Sequence, residues 1–357
     1  MWSDLISVLT GSRGGNSMEI GFMMDSLRQI DPIWETTAYI MYECNQRGHS
    51  VYFMEPHDIY IKKNKVVARM RNITVKPGLS IAQYWEALIR CLDQEELIFE
   101  TVTDLDVLFL RKDPPLIYEV MEFLGPVSDK VFMINSTTGQ INGSSKAYIL
   151  NFPEIIPETH VSRDPRRLRK IIDDFGGDMV IKPLHGHGGH GVIKVSNREP
   201  ENLNSLINYY VHSAKPYPER TPIMVQEYLK TVKEEGDVRI LLLNGEILGA
   251  MGRKSVSGDF RTNVHAGARA FKHVITPAQN YICEKIKPKL IADGLYFVGI
   301  DVIGDKLVEV NCVSPGGVPR INLFDGVRLE STIVDFIEEK ISESKQRKNG
   351  ELVRVAG

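Results

Sequence analysis

An α/β protein is predicted, with an N-terminal open α/β domain followed by a body in two subdomains. Three patterns predict it. Short apolar runs alternate with helix-period segments over residues 18–125, a glycine-rich loop separates two β-branched runs at 179–195, and acidic residues sit inside an apolar hairpin at 298–311. At 357 residues and 43% hydrophobic content the chain exceeds what one core usually holds, so two or three units are expected. They are placed at 18–125, 126–205 and 206–341, with a disordered lead-in at 1–17 and a solvated tail at 342–357.

Composition narrows the partners. A net charge of −3 argues against bulk electrostatic binding to nucleic acid, and no apolar run approaches the length of a membrane span. Small-molecule substrates are therefore expected. Cys44, Cys91, Cys283 and Cys312 show no paired spacing, and the chain opens on no charged-then-apolar leader, which suits a reducing cytoplasm.

The elements follow in order. The polar, glycine-rich stretch Gly11 to Ser17 precedes the first convincing strand, Ile20 to Met24, which makes Met18 a candidate start. Strand-like Val51 to Met54 and Asp106 to Leu110 alternate with helical Glu35 to Arg47 and Ile81 to Leu92. The third strand ends in Arg111-Lys112-Asp113-Pro114-Pro115, where Asp113 can cap a helix that takes Pro114 first. This is either a plain strand-to-helix turn or a place where Arg111 and Lys112 face an anionic substrate, since ligands of open sheets gather beyond strand carboxyl ends.

Lys146 lies near a helix start after Ser144-Ser145, and a helix is expected over Pro165 to Asp174. Then come Val180-Ile181-Lys182-Pro183 and the loop carrying Gly186, Gly188, Gly189 and Gly191. The glycines spell G-x-G-x-x-G, but a strand rather than a helix follows, so a hairpin flap over phosphates fits better than a dinucleotide fold. A cation inside an apolar strand is costly without a partner, and a phosphate would satisfy Lys182. His185, His187 and His190 in the same loop suit phosphate contact or plain exposure better than zinc, because a pliant loop fixes tetrahedral ligands poorly.

Gln226-Glu227-Tyr228-Leu229 ends an apolar run of the kind that reads adenine through its backbone, or is simply a core strand. Asp237 and Arg239 share a strand face at period two, either as a surface pair or with Asp237 on the ribose or metal and Arg239 on the transferred group. The hairpin around Gly304-Asp305 places Glu309 and Asn311 on one face, and a three-residue loop, Gly304 to Lys306, sets Asp301 opposite Glu309, whereas a two-residue loop turns Asp301 away. Two carboxylates and an amide oxygen are hard ligands suited to Mg²⁺.

This ordered set, Lys146, Lys182 with its glycine loop, Gln226 to Leu229, Asp237-x-Arg239, and Asp301 with Glu309-x-Asn311, resembles the ATP-grasp superfamily of carboxylate–amine ligases. Within it, Arg111-Lys112-Asp113-Pro114-Pro115, Val180 to Leu184 and Phe297 to Asp305 look like bacterial-type glutathione synthetases. The resemblance implies a pre-ATP-grasp domain followed by a two-subdomain ATP-grasp fold and homo-oligomers. It also implies ATP and two magnesium ions (Mn²⁺ possible) as cofactors. Lys146 and Lys182 would hold ATP phosphates, Glu227 to Leu229 the adenine, and Asp301, Glu309 and Asn311 the metal.

The implied reaction runs through an acyl phosphate opened by an amine, so positioned cations rather than a protein nucleophile should carry it. Arg253, after the expected strand Glu246 to Met251, matches an arginine that the family sets against the reacting phosphate, and Arg239 is the second candidate. The substrate side is assigned to Arg111, Asp113, Arg261, Asn263, Arg269, Ser314 and Gly316. Residues 254–267 read as a closing loop, but Gly258 to Asn263 look closer to ligases that add glutamate to other carboxyl groups. The leading expectation joins a γ-glutamyl-cysteine-like peptide to glycine. The alternatives are a ligase for another carboxylate and a nucleotide-binding regulatory protein.

Overall fold

The computed structural model describes residues 17–94, 98–198, 200–256 and 268–355, and these divide into two compact units. The first comprises the chain to Lys112, residues 122–134 and the chain from Glu330 onward. The second comprises 113–121 and 135–329.

The first unit is built on one sheet. Its strands are β1 (Glu19–Met23), β2 (Ser50–Met54), β3 (Ile59–Lys62), β4 (Lys65–Asn72), β5 (Ile98–Thr101), β6 (Val107–Leu110) and β7 (Phe132–Ile134). They run in the order β3-β4-β2-β1-β6-β7, with β5 also on β4; β2, β1, β6 and β7 are parallel. Ile20, Phe22, Val51, Val107 and Phe109 are wholly buried, and the stacked rings of Phe22 and Phe109 lie 4.9 Å apart. Burial on both faces is why these parallel strands read as unbroken apolar runs. Sheet membership extends to Ile134, beyond the boundary expected at 125.

Two helices differ from expectation. The helix after β6 spans Tyr118–Leu124 instead of starting at Pro114. Pro115 explains this, because a residue before proline is pushed out of the helical region, and Pro114 stands there. The last helix runs Leu329–Val355, through the stretch expected as a tail. Its sequence beyond Ile341 is rich in Glu, Lys, Gln and Arg, good helix formers without a proline, and its one interior glycine, Gly350, costs only about 1 kcal/mol. The first half of this helix is anchored inside its unit. Arg47 reaches Asp335 at 2.7 Å and Glu338 at 2.9 Å, and the buried His49 meets Glu338 at 3.0 Å.

The second unit carries two sheets. The four-stranded one contains β8 (Thr159–Ser162), β9 (Asp178–Pro183), β10 (Ile193–Ser196) and β11 (Ile223–Glu227), in the order β10-β9-β11-β8. Helices Pro165–Phe175 and Pro200–Val211 cover its apolar face through Leu168, Ile172, Leu203 and Ile207. The first of these is capped as its sequence dictates: the Asp164 side chain accepts from the Arg166 amide, Pro165 takes the first position, and Gly176 closes it at φ +68°.

The five-stranded sheet contains β12 (Asp237–Leu243), β13 (Glu246–Lys254), β14 (Arg269–Lys272), β15 (Phe297–Ile303) and β16 (Lys306–Asn311), in the order β14-β13-β12-β15-β16. Its core faces helix Pro277–Ala292 through Ile282, Ile286 and Leu290. No helix among the described residues is long and apolar enough to cross a membrane.

Candidate active site

Strand register assembles the charged residues of the five-stranded sheet. Asp237 pairs with Arg253, Arg239 with Asp301, and Asp301 with Glu309, so acid meets base at the first two pairings and acid meets acid at the third. Period two puts Asp237 and Arg239 on one face, and Asn311 joins Glu309 there. The route to this facing differs from expectation. The turn has two residues, Gly304 and Asp305, because Ile303 pairs with Lys306; a bulge between Asp301 and Val302 in the register restores Asp301 to Glu309. The additional residue, Val308, offsets the parity that a two-residue turn imposes. Gly304 takes φ +59°, the positive value that a tight hairpin turn requires at its first position.

Charges in this face are mutually satisfied. Arg239 grips Asp301 with two bonds of 2.5 and 2.9 Å, and Arg253 reaches Asp301 at 2.9 Å and Asp237 at 2.5 Å. Burial alone would raise the Asp301 carboxyl, but the two guanidiniums outweigh it and hold the group well below the usual carboxylate range. Burial likewise works against charge on Arg253, and the carboxylates of Asp301 and Asp237 more than reverse that. Arg253 lies within β13, not in a loop after it, and is 4% exposed.

Facing this charge array is a cavity of about 100 Å³. Lys146, Lys182, Gly189, Gln226 to Leu229, Asp237, Asp301 and Glu309 line it, together with an apolar wall of Val180, Val192, Val232, Ile303 and Val308. Val180, Tyr228 and Val232 pack together with Val192 and Ile303 against them, forming a slot suited to a flat ring. The Lys182 ammonium donates to the Gln226 amide oxygen at 2.6 Å. Burial pushes Lys182 down to about 8, Lys146 adds to this, and Glu309 and Asp301 oppose it. Gln226 is 1% exposed and donates in turn to Thr159.

A second cavity, about 330 Å³, shares Lys146 and Glu309 with the first. Lys146 meets Glu309 at 3.0 Å and donates to the Gly186 carbonyl at 2.5 Å. Tyr118, His185, His187, Asn311, Cys312 and Ser314 complete its wall. Burial pushes the Cys312 thiol up to about 12, so it supplies no thiolate nucleophile.

Residues 18–139 match the family model "Prokaryotic glutathione synthetase, N-terminal domain", and residues 145–326 match "Prokaryotic glutathione synthetase, ATP-grasp domain". The chain belongs to the prokaryotic glutathione synthetase family. It is 36% identical to a glutathione synthetase of Gloeobacter violaceus over 332 residues, covering 90% of this chain and 97% of that one. To the glutathione synthetase of a Synechocystis species it is 33% identical, covering 90% and 100%. Among solved structures, D-cycloserine synthetase matches with a TM-score of 0.60 at 12% identity, covering 89% and 99% of the two chains. A RimK domain ATP-grasp protein from Sphaerobacter thermophilus matches at 0.58 and 16%, covering 89% and 98%. These two likenesses speak to the fold. As a family member the chain is an ATP-dependent carboxylate–amine ligase of the glutathione synthetase type.

Several residues singled out in the sequence lie elsewhere. Gly188 and Gly191, at φ +61° and +70°, shape the loop without lining either cavity. The Gly316 carbonyl, not its N–H, is engaged, accepting from Arg239 at 3.4 Å. Arg269 is exposed at the start of β14. Arg111 is buried in the first unit, donating to Thr37 at 3.0 Å with Glu35 3.9 Å away, because a guanidinium at the end of an apolar strand needs acceptors nearby. Asp113 falls in the second unit, ahead of the cavity-lining Pro114 and Pro115. Arg261 and Asn263, with most of the expected closing loop, lie outside the described residues. The apolar slot walls were missed because they read only as core strand positions. The one signal for them was period two along β9 and β15, which points Val180 to the same side as Lys182 and Ile303 to the same side as Asp301.

Proposed function

We propose that the chain joins a γ-glutamylcysteine-like peptide to glycine. The carboxylate oxygen attacks the γ-phosphorus of ATP, the bond to ADP breaks, and the resulting acyl phosphate is opened by the amine nitrogen, which sheds a proton as phosphate leaves. The observation that supports this best is the convergence of Lys182, Lys146 and the Asp301–Glu309 pair on one slot-shaped cavity. A half-buried lysine whose ammonium bonds, among the described residues, only a neutral amide is a place made ready for phosphate.

In this proposal adenine lies between Val180, Val192 and Ile303 against Glu227, Tyr228 and Leu229. The amides of Glu227 and Tyr228 are committed to Glu158 and Asp178 carbonyls, so other groups of that segment read the ring. Lys146, Lys182, Gln226 and the loop glycines 186 and 189 face the phosphates, Gly188 and Gly191 give that loop its bend, and Asp237 faces the ribose. The oxygens of Asp301, Glu309 and Asn311 suit Mg²⁺, the acids being opposed in register and the Asn311 amide 3.3 Å from Asp301. That metal would supply charge neutralisation for the phosphates.

Arg253 and Arg239 steady the transferring phosphoryl group, held in place by Asp237 and Asp301. The second cavity takes the reacting carboxylate and amine beside Ser314 and Gly316, and Arg111, Asp113, Arg261, Asn263 and Arg269 contribute to substrate binding. Four free thiols suit a reducing, cytoplasmic setting.

The test is to incubate the protein with ATP, Mg²⁺, γ-glutamylcysteine and either glycine or glutamate, and read the product mass. A glycine adduct, with ADP released only when both carboxylate and amine are present, is expected. A glutamate adduct alone would move the chain to another acceptor, and no ADP release with any pair would leave only nucleotide binding.

A further inference from the structure

A third cavity, of about 300 Å³, belongs wholly to the first unit and shares no residue with the other two. It opens beyond the carboxyl ends of β1 and β2, the side of an open α/β sheet where ligands gather. Its wall holds Arg28, Arg69, Arg71, Glu55, His57 and Asp58.

The charges there are unevenly used. Asp58 is 6% exposed and consumed locally: it accepts from the Glu55 amide at 3.0 Å and pairs with Arg69 at 2.6 Å. Arg28 pairs with Asp93 across the open surface, half-exposed on both sides. Arg71 differs. It sits on β4 opposite Phe53, its Nε is buried, and that atom has no hydrogen-bond partner among the described residues. A buried guanidinium N–H aimed at nothing is costly, and an anion removes the cost. The Glu55 carboxylate on the same wall caps the turn Pro56–Asp58 by accepting from the Asp58 amide and has the His57 imidazole 3.4 Å away; it is about a quarter exposed, which leaves lone pairs for a cation.

We propose that this cavity binds the zwitterionic α-amino-carboxylate group of an amino acid, the carboxylate on Arg71 with Arg28 beside it and the ammonium on Glu55. Free amino acids and the amino-acid end of a γ-glutamyl peptide both present this group. Binding requires no turnover, so its failure is distinct from failure of the ligation described above.

The experiment is calorimetric titration of the full chain, without nucleotide, using L-glutamate, γ-glutamylcysteine, N-acetyl-L-glutamate and inorganic phosphate in turn. L-glutamate or γ-glutamylcysteine should bind, and whichever does identifies the source; N-acetyl-L-glutamate, lacking the ammonium, should bind at least about tenfold more weakly. Arg71→Gln and Glu55→Gln should each weaken the binding by about tenfold, the factor supplied by one charge-assisted hydrogen bond, and leave the ATP Kd unchanged. Arg28→Ala, at an exposed side chain that folding does not need, should weaken it by about threefold and so stands if Arg71→Gln fails to fold. Binding by neither zwitterion, binding indifferent to Arg71→Gln, or phosphate binding tightly with no effect of Glu55→Gln would overturn the proposal.

Discussion

The two sheets of the second unit treat buried charge in opposite ways. On the five-stranded sheet Asp237, Arg253, Asp301 and Arg239 neutralise one another strand by strand, and every member is less than 9% exposed. On the four-stranded sheet Lys182 has, among the described residues, only the neutral Gln226 amide on its ammonium, and burial pushes it down to about 8. One wall is balanced within itself and the other is left positive. A balanced array costs little to keep in place and holds its geometry; an unbalanced cation costs stability in the free protein and returns it when an anion arrives. Rigidity and affinity are thus assigned to different sheets.

The largest test of that difference is Asp301→Asn. It leaves Arg239 and Arg253 buried against a neutral amide, and a loss of about 3–5 kcal/mol in unfolding free energy is expected by urea denaturation. Glu309→Gln, which removes the carboxylate that meets Lys146 at 3.0 Å, should cost about 1 kcal/mol or less, because Glu309 is partly solvated. Equal losses would show that the five-stranded sheet is not internally balanced.

Lys182→Met tests the opposite wall. It removes an unneutralised charge and preserves an unbranched stem, so the free protein should gain about 1 kcal/mol in stability while ATP binding weakens by about 2–3 kcal/mol. Thermal unfolding and calorimetry read the two quantities. If the variant is less stable without nucleotide, the ammonium is better satisfied than its surroundings indicate.

The sequence made the acids' meeting legible but not the means. Period two along β16 places Glu309 with Asn311, and opposed acids in an apolar ribbon announce a cation. Loop length alone cannot reveal a bulge, since one residue added to either strand or turn restores the same parity. Strands β3 and β4 were missed for a related reason: their turn is Lys63-Asn64, at φ +48° and +63°, without the glycine that usually marks two positive φ values. The fate of Arg111 was illegible because its acceptor, Thr37, lies 74 residues away in sequence. The cation lattice was half legible. Arg253 and Asp237 were both singled out, but their pairing was not, because nothing in the sequence aligns β12 with β13.

Proton linkage sharpens the comparison further. Unfolded Lys182 keeps its proton to the ordinary lysine range near 10.5, whereas folded Lys182 releases it near 8. Between these values the unfolded chain binds more protons, so the stability cost of Lys182 is in full force below pH 8 and is relieved as pH rises from about 8 to 10.5. Triphosphate should restore the proton. At pH 8.5 to 9, ATP binding is therefore expected to take up close to one proton, measured as the dependence of calorimetric enthalpy on buffer ionisation heat, and Lys182→Met should abolish the uptake. Asp301 has the opposite sign: its stabilisation is present at neutral pH and lost only as pH falls below the usual carboxylate range.

The smallest effect is expected at the hairpin turn. Gly304 has φ +59° and open space around it, with only the Thr231 hydroxyl 3.8 Å from where a Cβ would stand. Gly304→Ala should then cost only the left-handed backbone penalty, about 1 kcal/mol. Because the bulge and not the turn sets Asp301 against Glu309, nucleotide affinity should not change. A drop in ATP affinity with that modest destabilisation would mean the turn helps fix the register of the acids, and the division between a rigid charged sheet and a receptive one would have to include the loop that joins β15 to β16.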